Sequence, residues 1–124
     1  MARNDSTLRG IEQILNGRKR RPTHPGALLR DDILPHLGIS QGELADRLGV
    51  TRQTVNEIVT EKRSITMDMA YRLGRLFNMD PSTWIRMQEA VDAWDTLDAN
   101  RKVYQRIKPI AGAGQLVGSS TSSR

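Results

Sequence analysis

The segment 39–61, ISQGELADRLGVTRQTVNEIVTE, restricts the fold most, because it specifies two short helices around a tight turn. Ser40 and Glu43 have the spacing of a capping box, in which the hydroxyl accepts an amide hydrogen bond and the carboxylate reaches back to the cap. The apolar residues that follow recur at helical spacing: Leu44, Ala45 and Leu48. Gly49 can adopt a positive φ, so we expect the first helix to end there.

The second helix of this segment has an apolar and a polar face. Thr51 can cap its start. The apolar stripe consists of Val55, Ile58 and Val59, and the polar face of Arg52, Gln53, Asn56, Glu57 and Thr60. Two helices around a short glycine-containing turn, the second bearing hydrogen-bonding side chains, are typical of a DNA-binding helix-turn-helix. The alternative, an ordinary hairpin in a helical bundle, requires the capping box, the turn glycine and the polar face to coincide by chance.

The residue types on the polar face predict how DNA would be read. Arg, Gln and Asn pair bidentately with guanine and adenine edges, and a carboxylate can accept a hydrogen bond from cytosine. We therefore predict four base contacts: Arg52, Gln53, Asn56 and Glu57. Helix N-termini and flanking cations orient a protein on the phosphates without reading sequence. They predict six phosphate contacts: Gln41, Arg47, Thr51, Thr54, Lys62 and Arg63.

The charge of the chain is unevenly distributed. The 124 residues have a net charge of +5, but residues 1–24 carry +4, residues 25–98 carry −4 and residues 99–124 carry +5. Counterion release from phosphates supplies much of the affinity of DNA-binding proteins, so an acidic middle must concentrate its cations near the recognition helix. Arg47, Arg52, Lys62 and Arg63 bracket that helix in sequence. The acidic remainder suits a second, basic partner.

Several other classes of protein are not expected. Cysteine is absent, which excludes disulfides and thiolate metal sites. No apolar run is long enough to cross a bilayer or to form a signal-peptide core, so we expect a cytoplasmic protein. His24 and His36 belong to no ligand cluster or triad, and the neighbouring Asp31 and Asp32 do not face one another on a helix. We therefore expect no enzyme activity, no cofactor and no metal.

The chain divides into three parts. Residues 1–22 form a basic, partly amphipathic extension, in which Leu8, Ile11 and Leu15 recur at helical spacing before a run of four cations. Residues 23–98 form the helix-turn-helix and dimerisation domain. Residues 99–124 are basic and then rich in Gly and Ser, a composition that cannot build a core.

Local signals predict three more helices in the middle part. Pro25 begins a first helix, which Pro35 should end or kink because proline lacks an N–H and clashes one turn back. Thr66 caps a fourth helix that Asn78 ends. Asp80 followed by proline opens a fifth. The fold class is therefore all-α, with five helices.

The fifth helix carries an unusual apolar stripe. Trp84, Met87, Val91 and Trp94 recur at steps of three and four. A small domain has little core left to cover two tryptophans, and aromatic residues and Met are enriched at interfaces. We interpret the stripe as half core and half homodimer seam. The alternative is that both tryptophans belong to the core.

Taken together, these residues resemble the HigA-type antitoxin family, a branch of the phage-repressor-like (XRE) helix-turn-helix proteins. The resemblance covers about residues 22–97 and is carried by His24–Pro25–Gly26, Leu29–Arg30–Asp31, Ile39–Ser40, Leu44–Ala45, Val50, Thr54–Val55–Asn56–Glu57–Ile58–Val59, Ile65–Thr66, Asp68–Met69–Ala70, Arg72–Leu73, Phe77, Trp84 and Met87–Gln88. The family's recognition positions fall on Thr51, Arg52, Gln53, Asn56 and Glu57. Gln41 occupies the place where related phage repressors hold a phosphate.

The resemblance implies a function with two partners. It implies a dimer that represses its own operon at a palindromic operator and therefore lies at the nucleoid of a bacterial cell. It also implies neutralisation of a cognate toxin of the HigB type, a small basic ribonuclease of the RelE kind that cuts mRNA at the ribosome. Both terminal extensions depart from the family pattern. Two alternatives stay open: a stand-alone repressor without a toxin, and a protein-binding module that has lost DNA contact.

Overall fold

The computed structural model describes residues 20–116, and within this range the chain is all-helical, as predicted. Helix α1 runs through an α-helical turn at Pro25–Leu28, a π-helical turn at Leu29–Ile33 and a second α-helical turn at Leu34–Leu37. The helices that follow are α2 (Gln41–Leu48), α3 (Arg52–Val59), α4 (Met67–Phe77) and α5 (Pro81–Arg106). One compact unit, Arg21–Asp92, contains α1 to α4 and the first part of α5, and a second unit includes the described residues from Ala93 onward. No helix in residues 20–116 has the length and apolar character that crossing a membrane requires.

The helix boundaries follow the predicted capping residues. Three hydroxyls accept the backbone N–H three residues further on: Ser40 at 3.0 Å, Thr51 at 3.1 Å and Thr66 at 3.1 Å. Each satisfies an amide that has no partner inside its helix. The left-handed conformation closes α2 at Gly49 (φ 73°) and α4 at Asn78 (φ 54°). These local signals are confirmed.

The reciprocal half of the capping box is not formed. Ser40 accepts the Glu43 N–H, but the Glu43 carboxylate binds Arg47 at 2.8 Å instead of returning to the cap. An arginine one turn along the same helix competes with a neutral amide for the carboxylate, and a charge-assisted hydrogen bond is the stronger of the two.

Pro35 was predicted to end or kink the first helix, and of these two outcomes the end is wrong, because α1 continues to Leu37 and ends at Gly38 (φ 68°). The Leu34 N–H donates to the carbonyl of Leu29, five residues back, which is the spacing of a π-helix. This wider turn lies where the proline ring would meet a carbonyl in a regular α-helix. The π-helical turn is the distortion that accommodates the proline.

The core of the Arg21–Asp92 unit lies between α1, the α2–α3 pair, α4 and the start of α5. Its most enclosed members come from every one of these helices: Leu29, Leu44, Val55, Ile58, Leu73 and Trp84. The Trp84 ring is fully buried and lies 6.2 Å from the Phe77 ring, centroid to centroid. The inner stripe predicted for α3 is confirmed as part of this core.

The burial along α5 assigns two of the four residues of the predicted stripe to the interior and leaves the other two as candidates for the seam. Trp84 is 0% and Val91 1% exposed within a single chain, so neither offers surface to a second copy. Met87 and Trp94 are half-buried and keep an accessible portion. Helix α5 also continues past the boundary expected at residue 98, to Arg106, with a departure from helical angles at Asn100 (φ −122°, ψ 15°). Arg, Lys and Gln are good helix formers, which explains why this part of the expected tail is helical.

Helix α1 approaches α3 so closely that only glycine fits at the contact. A Cβ on Gly26 would lie 1.8 Å from the carbonyl oxygen of Ile58, a backbone atom that cannot move aside. We expect Gly26→Ala to lower the free energy of unfolding by about 2–4 kcal/mol, measured by chemical denaturation. Gly42→Ala is the control, because the added methyl meets only the mobile end of the Arg52 side chain. Equal stability of the Gly26→Ala and Gly42→Ala variants would contradict the tight contact.

Candidate nucleic-acid interface

Helix α3 presents the predicted polar face to solvent because its opposite face is buried. Val55, Ile58 and Val59 are each at most 2% exposed. Arg52, Gln53 and Asn56 are exposed, and Glu57 is half-buried. The 3.6-residue period of a helix therefore places three of the four predicted base contacts on the open side.

The exposed side chains of α3 meet the start of α2 in a shallow depression. Its lining consists of Ser40, Gln41, Gly42, Arg52, Gln53 and Asn56. The Asn56 Nδ2 donates to Gln41 Oε1 at 3.3 Å. The guanidinium of Arg52 lies against Gly42, where the absence of a side chain leaves room for it. The structure thus brings Gln41, predicted as a phosphate contact, together with three predicted base contacts.

Glu57 lies differently from the other polar residues of α3. Its Oε1 accepts hydrogen bonds from Arg63 Nε at 2.9 Å and from Arg63 Nη2 at 2.6 Å, and its Oε2 accepts from Gln53 Nε2 at 3.3 Å. These bonds hold the pKa of the Glu57 carboxyl below its usual range, and the hydrogen bond with Arg63 makes the largest contribution. Both oxygens therefore already accept hydrogen bonds within the chain, which sets Glu57 apart from the three exposed base-contact candidates.

Apart from Gln41, the residues predicted to contact phosphate lie in three places. Thr51 and Thr54 lie at the N-terminus of α3, their hydroxyl oxygens 2.9 Å apart, where the helix dipole favours an anion. Lys62 and Arg63 are exposed on the loop after α3. Arg47 lies in the last turn of α2, paired with Glu43. Arg47 thus lies on a different helix from Thr51 and Thr54 and apart from the loop that carries Lys62 and Arg63.

Two arginines that bind the C-termini of α3 and α2 carry no local sequence signal. Arg30 on α1 donates to the carbonyl of Val59 at 2.7 Å, and Arg72 on α4 donates to the carbonyl of Leu48 at 2.7 Å. Each satisfies a carbonyl that has no intrahelical partner at the C-terminus of α3 or α2. Sequence reasoning missed them because the partners are 29 and 24 residues apart.

Acidic neighbours hold the same two arginines in place. Arg30 makes two hydrogen bonds of 2.9 Å with Asp31, and this contact lowers the pKa of the Asp31 carboxyl. Arg72 binds Asp68 at 2.8 Å, one turn back on α4.

Residues 20–116 contain no group of three or more His, Asp or Glu side chains placed to hold a metal ion.

The known proteins that this chain resembles include helix-turn-helix regulators and HigA antitoxins. A family model described as helix-turn-helix matches residues 29–84. An uncharacterized HTH-type transcriptional regulator of Haemophilus influenzae is 33% identical over 94 residues, which are 76% of this chain and 87% of the relative. Antitoxin HigA-1 of Vibrio cholerae is 33% identical over 92 residues, 74% of this chain and 87% of the relative. The solved structure of the Pseudomonas aeruginosa antitoxin HigA with the higBA promoter is 41% identical, with a TM-score of 0.69, and the match covers 73% of this chain and 99% of that one.

The lowered pKa of Glu57 gives a measurable pH dependence. A carboxyl whose folded pKa lies below its unfolded value stabilises the fold fully above the unfolded value, and this contribution is lost as the pH falls through the folded pKa. Arg63→Ala removes the main cause, so we expect the pKa of Glu57 to rise towards the ordinary glutamate range in an NMR titration of its carboxyl carbon. Arg47→Ala, which removes the partner of Glu43, is the control and should leave the Glu57 titration unchanged. A Glu57 titration unaffected by Arg63→Ala would show that the pair does not persist in solution.

Proposed function

We propose that this chain, which belongs to the HigA-type antitoxin family of helix-turn-helix proteins, represses its own operon and neutralises a cognate toxin. The observation that carries the proposal is the exposed face of α3, where Arg52, Gln53 and Asn56 converge beside Gln41. A regulator bound at its operator acts in the cytoplasm, at the nucleoid.

Base reading is assigned to the outer face of α3, inserted into the major groove. The groove edge of adenine offers an acceptor and a donor that an amide matches bidentately, and that of guanine offers two acceptors that a guanidinium matches. Gln53 and Asn56 therefore suit adenine, and Arg52 suits guanine. The solved HigA relative was determined with promoter DNA, which supports this use of the face.

Phosphate contacts are assigned to the residues around that face. Thr51 and Thr54 lie at the start of α3, and Gln41, at the start of α2, accepts a hydrogen bond from Asn56. Lys62 and Arg63 follow α3, and their backbone N–H groups donate to the carbonyl of Glu57. Arg47 is the outlying member of the predicted set. The cations near α3 give local attraction to DNA although residues 25–98 have a net charge of −4.

A homodimer is the second part of the proposal. A palindromic operator requires two recognition helices about 34–36 Å apart, one helical turn of DNA, which a two-fold dimer supplies. Met87 and Trp94 on α5 are the candidates for the seam, because they are the accessible members of the apolar stripe.

Toxin binding is the third part. Its support is the name of the V. cholerae relative, an antitoxin, together with the acidic charge of residues 25–98, which complements a basic ribonuclease of the HigB and RelE kind. The H. influenzae relative carries the name of a transcriptional regulator, which favours the alternative, a stand-alone repressor without a toxin. We place the toxin away from α3, so that repression and neutralisation are compatible.

Two substitutions separate base reading from phosphate binding. Gln53→Ala removes a bidentate side chain and should relax the preference at one base step, costing about 1–3 kcal/mol of discrimination. Arg63→Ala removes a cation and should weaken binding to all sequences alike, with a salt slope about one unit shallower. Both are measured by fluorescence anisotropy on operator and unrelated duplexes across a salt series. Unchanged selectivity in Gln53→Ala would remove that residue from the base contacts, and an unchanged slope in Arg63→Ala would remove that residue from the phosphate contacts.

Toxin neutralisation is tested with the product of the neighbouring reading frame. Co-expression of this chain should restore growth to cells that express that product, and Gln53→Ala should restore it equally well, because the toxin docks away from the DNA face. The purified pair should associate more weakly as salt rises, since opposite charges attract them. If the neighbouring product does not bind this chain while operator binding is intact, the stand-alone repressor is the correct function.

A further inference from the structure

We propose that Glu57 is a positioning residue of the recognition helix rather than a base reader: its carboxylate sets which end of the Gln53 amide faces DNA and fixes the Arg63 guanidinium beside it. The inference rests on the DNA-binding function proposed above. It replaces the role that the sequence suggested for Glu57.

The first argument is geometric. Each carboxylate oxygen of Glu57 has its own partner, Arg63 for Oε1 and Gln53 for Oε2. The side chain of Glu57 is 30% exposed and that of Arg63 47% exposed. Gln53, one turn before Glu57 on α3, is exposed. A single carboxylate therefore joins a predicted base contact to a predicted phosphate contact.

The second argument is chemical. An ionised carboxylate only accepts hydrogen bonds, whereas a glutamine amide has a donating and an accepting end. The anion attracts the NH₂ end of Gln53 and repels its carbonyl oxygen, so the amide has one favoured orientation. The second N–H and the carbonyl oxygen then remain for DNA, as a donor next to an acceptor. This order matches the N7 acceptor and N6 donor of adenine.

The same carboxylate limits attraction to DNA that lacks the site. Glu57 places a negative charge against the guanidinium of Arg63, which reduces the local positive charge that any phosphate backbone would meet. Sequence-independent binding is thereby weakened, while a base-matched Gln53 adds affinity at the correct site. Glu57 therefore increases specificity in two ways: it lowers the affinity for unrelated DNA and it raises the preference for the matched base.

The side chain of Glu57 can be changed without releasing the loop after α3. The backbone carbonyl of Glu57 accepts the N–H of Lys62 at 2.8 Å and that of Arg63 at 3.1 Å, and these bonds do not involve the carboxylate. Glu57→Gln also keeps the length and shape of the side chain. Its consequences on DNA are therefore separable from unfolding, which circular dichroism and thermal melting check directly.

The experiment selects preferred sites from a library of randomised DNA duplexes with the wild-type protein, Gln53→Ala and Glu57→Gln. The base step at which Gln53→Ala loses its preference defines the position read by Gln53. We expect Glu57→Gln to lose preference at that same step, by about two- to tenfold, because one immobilised side chain becomes free to turn. We also expect it to bind a duplex without the site about two- to fivefold more tightly.

Two further variants distinguish positioning from a general structural effect. In the Gln53→Ala background, Glu57→Gln should cause no further loss of discrimination, because the residue through which it acts is gone. Glu43→Gln is the matched control: it removes the same charge from another carboxylate paired with an arginine, but Glu43 contacts no predicted base reader. We expect Glu43→Gln to leave the site preference unchanged.

The possible outcomes are separable. A loss of preference by Glu57→Gln at a different base step would show that Glu57 reads a base, and an additive loss in the double variant would show that it does not act through Gln53. Either result overturns the inference and leaves the proposed function standing. If the wild-type protein selects no sequence at all, the proposed function itself fails.

Discussion

The close packing of α1 against α3 is the constraint on which the rest of the structure depends. Gly26 leaves no space for a side chain against the Ile58 carbonyl, and the buried His24 caps α1 by accepting the Gly26 N–H at 2.8 Å. From the same helix, Arg30 reaches the last turn of α3. The back of α3 is thus fixed by backbone contact at one point and by a guanidinium at another. The direction of its exposed side chains follows from a helix that is distant in sequence.

The surface charges of the described residues serve orientation more than stability. The arginines of residues 20–116 that pair with carboxylates include Arg21, Arg30, Arg47, Arg63 and Arg72. An exposed ion pair contributes only about 0–1 kcal/mol, so these pairs add little to the free energy of unfolding. They do fix where each guanidinium points, and in two cases they aim it at the open end of a helix. An acidic domain can therefore keep its cations at defined places on its surface.

The sequence predicts well whatever depends on neighbours along the chain. Caps such as Ser40 and the left-handed Asn78 act over three or four residues, and the period of α3 needs only its own apolar stripe. What it misses depends on contacts across the fold. No residue near Arg30 in sequence indicates that its partner lies 29 residues away. A helical wheel places Glu57 on the exposed face and does not indicate that Arg63 from the following loop binds it. The four base-reading candidates share a face, but only the tertiary structure distinguishes the three exposed side chains from the half-buried Glu57, which an arginine of the following loop binds.

The π-helical turn in α1 determines where the first helix of a related chain can lose one residue. The hydrogen-bonded ring of a π-helical turn contains one residue more than that of an α-helical turn. Each residue of an α-helix rotates the chain by about 100°, so the residues after the π-helical turn are rotated by about 100° from the positions that a regular α-helix would give them. Leu29, the first residue of the turn, and Leu34, directly after it, are both buried although they are five positions apart, a spacing that a regular α-helix would direct to different sides. The turn therefore behaves as a one-residue insertion absorbed inside a helix. A relative with a regular first helix can lack one residue here and still direct the same apolar residues inward, whereas removing a residue elsewhere in α1 would rotate half of the helix away from the core.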